Sequence, residues 1–234
     1  MKILFDNLLW NATLSALHAD AGYPVTNLRH FFLKKLFKST AVSDTVTISF
    51  TVDKSIDCCY LALTNAATAT LKLYSAAMAL LATKTIDIAT LAVSFAAVSG
   101  VRYATIELAA TSPALVYLGT AALGVAYTMP DPRHDWKTGY VDNSVASESA
   151  DGQYLVNKAS VLRAYDLNFF VQDLAEYLEI FALVTAMERP VFVDLFEGAR
   201  TTALPMYSIL DGGITNYSKD HNVHRFSLRP REVR

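Results

Sequence analysis

The amino-acid sequence predicts a mainly β protein: an N-terminal β-sandwich of the jelly-roll type, followed by a small α+β domain in which one helix covers an antiparallel sheet. Three observations lead to this prediction. Stretches of alternating apolar and polar residues recur through the first 129 residues, a polar segment follows, and the last third combines strands with a helical repeat. Short strands separated by turn signals are typical of sandwiches and barrels.

The clearest strand is Thr45–Val52, in which β-branched and aromatic residues alternate with threonine and serine. Such alternation buries one face of a strand and turns the other towards water or a polar neighbour. Asp53–Ser55 interrupts the pattern, and the almost wholly apolar run Ile56–Leu63 predicts a second strand that is buried on both faces. About eight strands are predicted over residues 13–126, which is the number found in a jelly roll.

The composition changes after Met129, where a proline-containing polar run begins. Residues 142–153 are rich in Asn, Ser, Asp and Gly, as a surface connection or a docking arm would be. We therefore predict a jelly roll over residues 1–129, a linker or arm over 130–153, and an α+β assembly domain over 154–234.

The last third predicts a strand, a helix and then a β meander. A long strand is expected over residues 159–170, and Asp173 is a candidate N-cap because its carboxylate can accept N–H groups at a helix start. Apolar residues then recur at helical spacing, which predicts a helix to about Met187. The predicted buried side of this helix consists of Leu174, Tyr177, Leu178, Phe181 and Val184.

The charge balance argues against a nucleic-acid partner. The net charge is -2, and nucleic-acid binding requires a basic stripe. One segment, Asn27–Lys38, does interleave Arg29, Lys34, Lys35 and Lys38 with aromatic residues. We interpret it as a loop whose aromatic side chains anchor in the core. Hydrophobic residues make up 53% of the chain, so some apolar surface is expected to remain for a partner.

Other features receive structural interpretations. The uncharged run Leu108–Pro130 contains proline and glycine, and we interpret it as two buried strands around a glycine turn rather than a membrane span. Cys58 and Cys59 are adjacent on a predicted strand, where side chains point to opposite faces. They are expected to be buried and reduced rather than joined in a disulfide. No signal peptide is recognised in Met1–Trp10.

No group of residues predicts catalysis, a metal or an organic cofactor, so the expected set of catalytic, cofactor-binding and metal-binding residues is empty. His221 and His224 lie near Asp220, but a metal site needs three or four convergent ligands. The carboxylate pairs Asp131 with Asp135 and Asp194 with Glu197 could serve a glycosidase only within a cleft. The aromatic residues Trp136, Tyr140 and Tyr154 could stack on a sugar or anchor the arm to a partner.

Several motifs carry a resemblance to a known family. In the first part they are Gly22–Leu28, Phe37–Thr40, Val46–Phe50, Ile56–Asn65 and Leu115–Gly119; in the last part they are Asp151–Gln153, Arg163, Arg189–Asp194 and Phe226–Glu232. On these motifs the chain resembles tailed-bacteriophage structural proteins that open with a discoidin-like, galactose-binding-like jelly roll and close with an α+β unit. It departs from their pattern by lacking a tryptophan before Ser39 and a histidine before Asn65.

The resemblance implies a non-enzymatic structural component of a phage tail, at its distal end or baseplate, that assembles into a ring around the tail axis. Its partners would be copies of itself and other tail or baseplate proteins, in the virion and, during assembly, in the host cytoplasm. The aromatic content of residues 159–228 agrees with this, because a small unit should leave some rings at its surface. The alternative is a carbohydrate-binding module that contacts a host surface glycan, and a third reading is a tail-associated glycan hydrolase.

The predicted domain boundary can be tested by limited proteolysis of the purified chain. We expect the first cut within residues 130–153, because polar connections are more accessible to a protease than paired strands. Mass spectrometry of the first fragments would locate the cut. A first cut within Val46–Leu63 would contradict the boundary.

Overall fold

The chain forms two compact units. In this computed structural model the described residues are 1–30, 33, 35–130, 137–142, 145–148, 154–157, 161–186, 190–194, 206–210, 215–220 and 223–232. Met1–Met129 and Val191–Tyr207 form the first unit, and Pro130–Pro190 and Ser208–Arg234 form the second. The described residues are mainly β, with antiparallel pairing and a single α-helix, so the predicted fold class is confirmed.

The first unit is built from short and long strands with two 3-10 helices, Leu8–Asn11 and Val25–Arg29. Its strands are β1 (Lys2–Leu4), β2 (Thr13–Ala16), β3 (Phe37–Lys38), β4 (Ser43–Thr64), β5 (Ala66–Tyr74), β6 (Leu80–Ile86), β7 (Ala92–Ala110), β8 (Tyr117–Gly124), β9 (Tyr127–Thr128) and, from later in the chain, β14 (Val191–Asp194).

The two long strands β4 and β7 organise the jelly roll. The start of β4 pairs with β2 and with the end of β7, which in turn pairs with β5; the second half of β4 pairs with β8 and with the start of β7. Register shifts between Ser49 and Cys58 mark where β4 bends, as strands do at a bulge. The inward side chains from both halves form one buried cluster that includes Ile48, Leu71 and Leu123.

At Asp53–Ser55, where the sequence predicts an interruption, the pairing of β4 with β7 shifts its register but the strand continues. Thr45–Val52 and Ile56–Leu63 belong to the single strand β4, because its pairing with β7 resumes beyond the bulge. The burial prediction for the second half of β4 is confirmed as far as Leu61, since Ile56, Cys58, Cys59, Tyr60 and Leu61 are buried. It is wrong at the end of the run, where Leu63 is exposed.

A segment from the last third of the sequence belongs to the first unit. Strand β14 pairs with β1, with Ile3 opposite Val193, and β1 also pairs with β9. The ring of Phe192 stacks on Tyr60 with centroids 5.5 Å apart. The sequence predicts Val191–Asp194 as part of the C-terminal domain, whereas its pairing with β1 places this strand in the first unit. The boundaries at 129 and 153 stay a prediction.

The second unit is an antiparallel sheet with one helix. Its elements are β10 (Lys137–Asp142), β11 (Val145–Glu148), β12 (Tyr154–Asn157), β13 (Val161–Val171), α1 (Leu174–Thr185), the end of β15 (Met206–Leu210), β16 (Thr215–Asp220), β17 (Val223–Leu228) and β18 (Pro230–Glu232). Strand β13 pairs with β10, β17 and β18, and β16 pairs with β17. A separate hairpin joins β11 to β12.

The predicted helix cap is confirmed, because Asp173 Oδ1 accepts a hydrogen bond of 2.8 Å from the Ala175 N–H. The predicted buried side of α1 is wrong in part. Its buried residues are Tyr177, Ile180 and Val184, whereas Leu174, Leu178 and Phe181 are exposed. Tyr177 fixes this orientation by packing on Phe226 of β17, with ring centroids 5.9 Å apart.

The fold predicts that glycine is required at position 124, in β8. A Cβ at Gly124 would lie 2.7 Å from the Asp6 carbonyl oxygen and 2.8 Å from Leu4 Cδ1. Gly124→Ala should therefore lower the free energy of unfolding by about 1–3 kcal/mol, as overpacking does. Gly139→Ala is the matched control, because its added Cβ would meet no atom within 4 Å. Equal urea denaturation midpoints for the two variants would contradict this account.

Candidate functional site

An open cavity lies at one end of the jelly roll, where β4 and β5 begin and β7 ends. Its volume is about 430 Å³, within the range of small-molecule sites. Its lining residues are Leu17, His18, Ser43, Asp44, Thr45, Thr68, Thr70, Glu107, Leu108 and Ala109. Most carry a hydroxyl, carboxylate or imidazole group, so the cavity is rich in hydrogen-bonding atoms.

Strand register brings the polar groups of this cavity together. Glu107 of β7 lies between Thr45 of β4 and Thr70 of β5, each its direct partner in the ladder. The residues next to them along the strands, including Val46 and Ile106, point into the buried core. Because side chains alternate along a strand, the partners Thr45, Glu107 and Thr70 share the opposite side. We call this side of β2, β4, β7, β5 and β6 the outer face.

Asp44 fixes one wall of the cavity. Its side chain is buried, and its carboxylate accepts hydrogen bonds from the backbone N–H groups of Thr45 (2.7 Å) and His18 (3.2 Å). The carbonyl of His18 accepts a bond of 2.7 Å from the Thr40 N–H. These bonds hold the segment after β2 against the start of β4, with Leu17 82% exposed at the cavity edge.

Of the two carboxylates that line the cavity, Asp44 is buried and Glu107 is directed to the outer face. Its Oε1 accepts a hydrogen bond of 2.6 Å from Lys72 Nζ of β5. This hydrogen bond raises the pKa of Lys72, since it favours the charged ammonium. The pair holds the Glu107 side chain in place, and a pre-positioned carboxylate beside threonine hydroxyls is well suited to accept hydrogen bonds from a polyhydroxylated ligand.

The residues considered as candidates from the sequence lie elsewhere. His224 is buried in the second unit, where its ring stacks on Tyr177 with centroids 5.2 Å apart. Asp194 is buried in β14. His221, Asp131, Asp135, Trp136 and Glu197 lie outside the described residues, as do the side chains of Asp220, Tyr140 and Tyr154. Within the described ranges, no three His, Cys, Asp or Glu residues are grouped so as to hold a metal ion.

Other sequence interpretations can be compared with the structure. Cys58 and Cys59 are buried and not joined in a disulfide, and burial raises the pKa of both thiols far above the ordinary value. Of the aromatic residues in Asn27–Lys38, Phe37 is fully buried, as expected for an anchor, while Phe31 and Phe32 lie outside the described residues. Lys38 Nζ lies 3.8 Å from the centroid of the Tyr23 ring. Of the helices in the described part of the chain, none is long and apolar enough to cross a membrane.

None of the residues that line the cavity was singled out as a binding residue from the sequence. A partial signal was present, because Thr45 lies on the polar side of an alternating strand and Glu107 on the polar side of another. The sequence did not show that these two sides adjoin in one sheet. That adjacency depends on which strands pair, and it is seen only in the folded chain.

Comparison with known proteins yields structural neighbours but no sequence relative. No family model matches the chain, and no curated protein does. One neighbour is chitosan-binding module 1 of a chitosanase/glucanase from Paenibacillus sp. IK-5 (14% identity, 51% of this chain and 99% of that chain, TM-score 0.43). Others are the family 32 CBM of C. perfringens NanJ in complex with galactose (10%, 50% and 96%, 0.43) and the lectin domain of Lectinolysin with Lewis B antigen (13%, 50% and 95%, 0.42).

With TM-scores of 0.42–0.43, these neighbours do not indicate a ligand for this chain. None of the three neighbours is described as a tail protein, so the tail assignment stays a prediction.

Proposed function

We propose that the chain is a non-enzymatic saccharide-binding protein whose jelly roll takes a sugar in the cavity between Leu17 and Glu107. The observation that carries this proposal is the composition of the cavity. Hydroxyl groups, a carboxylate held by Lys72 and an exposed leucine surround an open space of small-molecule size. A sugar presents hydroxyls to the polar groups and C–H surface to the leucine.

The sequence resemblance to a galactose-binding-like jelly roll supports the same proposal. On this account the partner is a glycan of a host cell surface, and the chain acts in attachment from a virion tail after assembly in the host cytoplasm. The hydrogen bonds of Asp44 would hold the cavity wall in its binding shape before the sugar arrives, which lowers the ordering cost of binding.

The saccharide proposal predicts that Glu107→Gln weakens glycan binding by about tenfold to a hundredfold, since a hydrogen bond to a charged group is worth about 1.5–3 kcal/mol. A glycan array with the full chain would find the sugar, and titration calorimetry would measure affinities. Asp53→Asn is the matched control, because Asp53 also forms a surface ion pair, with Arg102 at 2.9 Å, but lies outside the cavity. Absence of binding to any glycan, or equal affinities for wild type and Glu107→Gln, would contradict the proposal.

A second function, structural assembly in a phage tail, is favoured by the exposed side of α1. Leu174, Leu178 and Phe181 are 50%, 52% and 42% exposed and lie four and three residues apart, so they form one apolar stripe. The helix therefore has an apolar stripe on its buried side and another on its exposed side. A partner that covered Leu174, Leu178 and Phe181 would complete the burial of the apolar residues of this helix. The ring of copies implied by the sequence resemblance would supply such a partner.

The rings expected at the surface of the C-terminal domain are mostly buried. Phe169 and Phe226 are buried in the second unit, and Phe192 and Tyr207 are buried in the first. Of the other rings described, Phe170 is partly exposed and Phe181 is 42% exposed. The self-association proposal consequently rests on α1 and not on a general excess of aromatic surface.

The assembly proposal predicts that the full chain self-associates and that Leu178→Ser with Phe181→Ser shifts it towards the monomer. Burying these side chains is worth about 1.5–3 kcal/mol each before ordering costs, so their loss should raise the dissociation constant at least tenfold. Light scattering after size-exclusion chromatography would measure the mass. Leu115→Ser is the matched control, an exposed leucine of the first unit. A wild-type chain that stays monomeric at high concentration would argue against self-association.

A further inference from the structure

A pair of tyrosines lies on the outer face, away from the cavity. Tyr74 of β5 is the direct ladder partner of Tyr103 of β7, and both side chains are partly exposed. Their chain neighbours Leu73 and Ala104 are buried in the core. The two rings therefore share the side of the sheet that carries Glu107 and Thr70.

The polar rows between the cavity and the tyrosines are continuous. Thr47, Thr105 and Lys72 are partners across β4, β7 and β5, one step along from the Glu107 row. Ser49 continues the tyrosine row on β4, opposite Tyr103. The outer face thus carries a carboxylate near one end and two aromatic rings towards the other, with Thr47 and Lys72 between them on β4 and β5; the Thr105 hydroxyl in the same row is buried.

The distance along β7 between Glu107 at the cavity and Tyr103 in the tyrosine pair is longer than one sugar ring. Glu107 and Tyr103 are four residues apart on β7, which corresponds to about 13 Å at about 3.3 Å per residue. Only a chain of several sugar units could contact both. Between Glu107 and Tyr103 the outward-facing residues of β7 and β5 are Thr105 and Lys72. No apolar side chain therefore separates the cavity from the tyrosine pair on these two strands.

We propose that the ligand is an oligosaccharide that lies along β5 and β7, with one sugar in the cavity and another stacked on Tyr74 and Tyr103. This inference rests on the proposed saccharide function and adds its ligand class and a second subsite. Tyrosine suits such a subsite, because its ring offers apolar area at low entropic cost and its hydroxyl can hydrogen-bond. Hydroxyls of the middle sugars would face Lys72 and Thr47.

The test uses the full chain and gluco-, galacto-, manno- and chito-oligosaccharides from monomer to hexamer, titrated by calorimetry. For at least one series the affinity of the wild type should rise with chain length. Tyr74→Ala and Tyr103→Ala should each weaken hexamer binding by about fivefold and monomer binding much less, in line with an aromatic contact of about 1 kcal/mol. Tyr74→Phe and Tyr103→Phe keep the ring and should retain most of the hexamer affinity, which separates stacking from misfolding.

Tyr23→Ala is the matched control, because Tyr23 is an exposed tyrosine of the same unit that lies outside the outer face. Its hexamer affinity should equal that of the wild type. If monomer and hexamer bind equally tightly, or if the alanine variants at 74 and 103 behave like Tyr23→Ala, the second subsite is wrong while the cavity proposal stands. If no series binds to the wild type, the saccharide function itself fails.

Discussion

The register between β4 and β7 is the constraint on which the rest of the first unit depends. Thr45 opposite Glu107 and Val46 opposite Ile106 assign one side of each strand to the core and the other to the outer face. A shift of one residue would exchange these sides and place Glu107 in the apolar interior. The buried residues Val46, Ile48 and Ile106 oppose that shift, because each would lose its apolar surroundings. Core packing therefore fixes the positions of the polar groups.

The candidate saccharide site follows from that register and from a small number of polar contacts. Threonine and glutamate side chains on rigid, paired strands keep their spacing without a ligand. The only irregular part of the cavity wall among the described residues is the segment around His18, and Asp44 and Thr40 hold its backbone by hydrogen bonds. The same sheet carries the cavity residues Thr70 and Glu107 and, two outward-facing residue pairs further along β5 and β7, the tyrosines Tyr74 and Tyr103.

The second unit raises a different question, because α1 is apolar on two sides. Tyr177 packs between His224 and Phe226, and this aromatic contact selects the side that faces the sheet. Leu178 and Phe181 remain on the surface, although leucine and phenylalanine are no less hydrophobic than the buried Tyr177. Under the assembly proposal a partner would cover these two side chains and remove the cost of exposing them to water.

The sequence by itself determined the properties that depend on neighbouring residues. Alternation in Thr45–Val52 established a strand and its two sides, and Asp173 established the start of α1, because both are local effects of backbone geometry and capping. The tertiary structure alone decided which strands adjoin, that β14 pairs with β1, and which side of α1 is buried. Pairing partners are chosen by packing between residues far apart in the chain, so Glu107, Thr45 and Thr70 meet at one cavity only after folding.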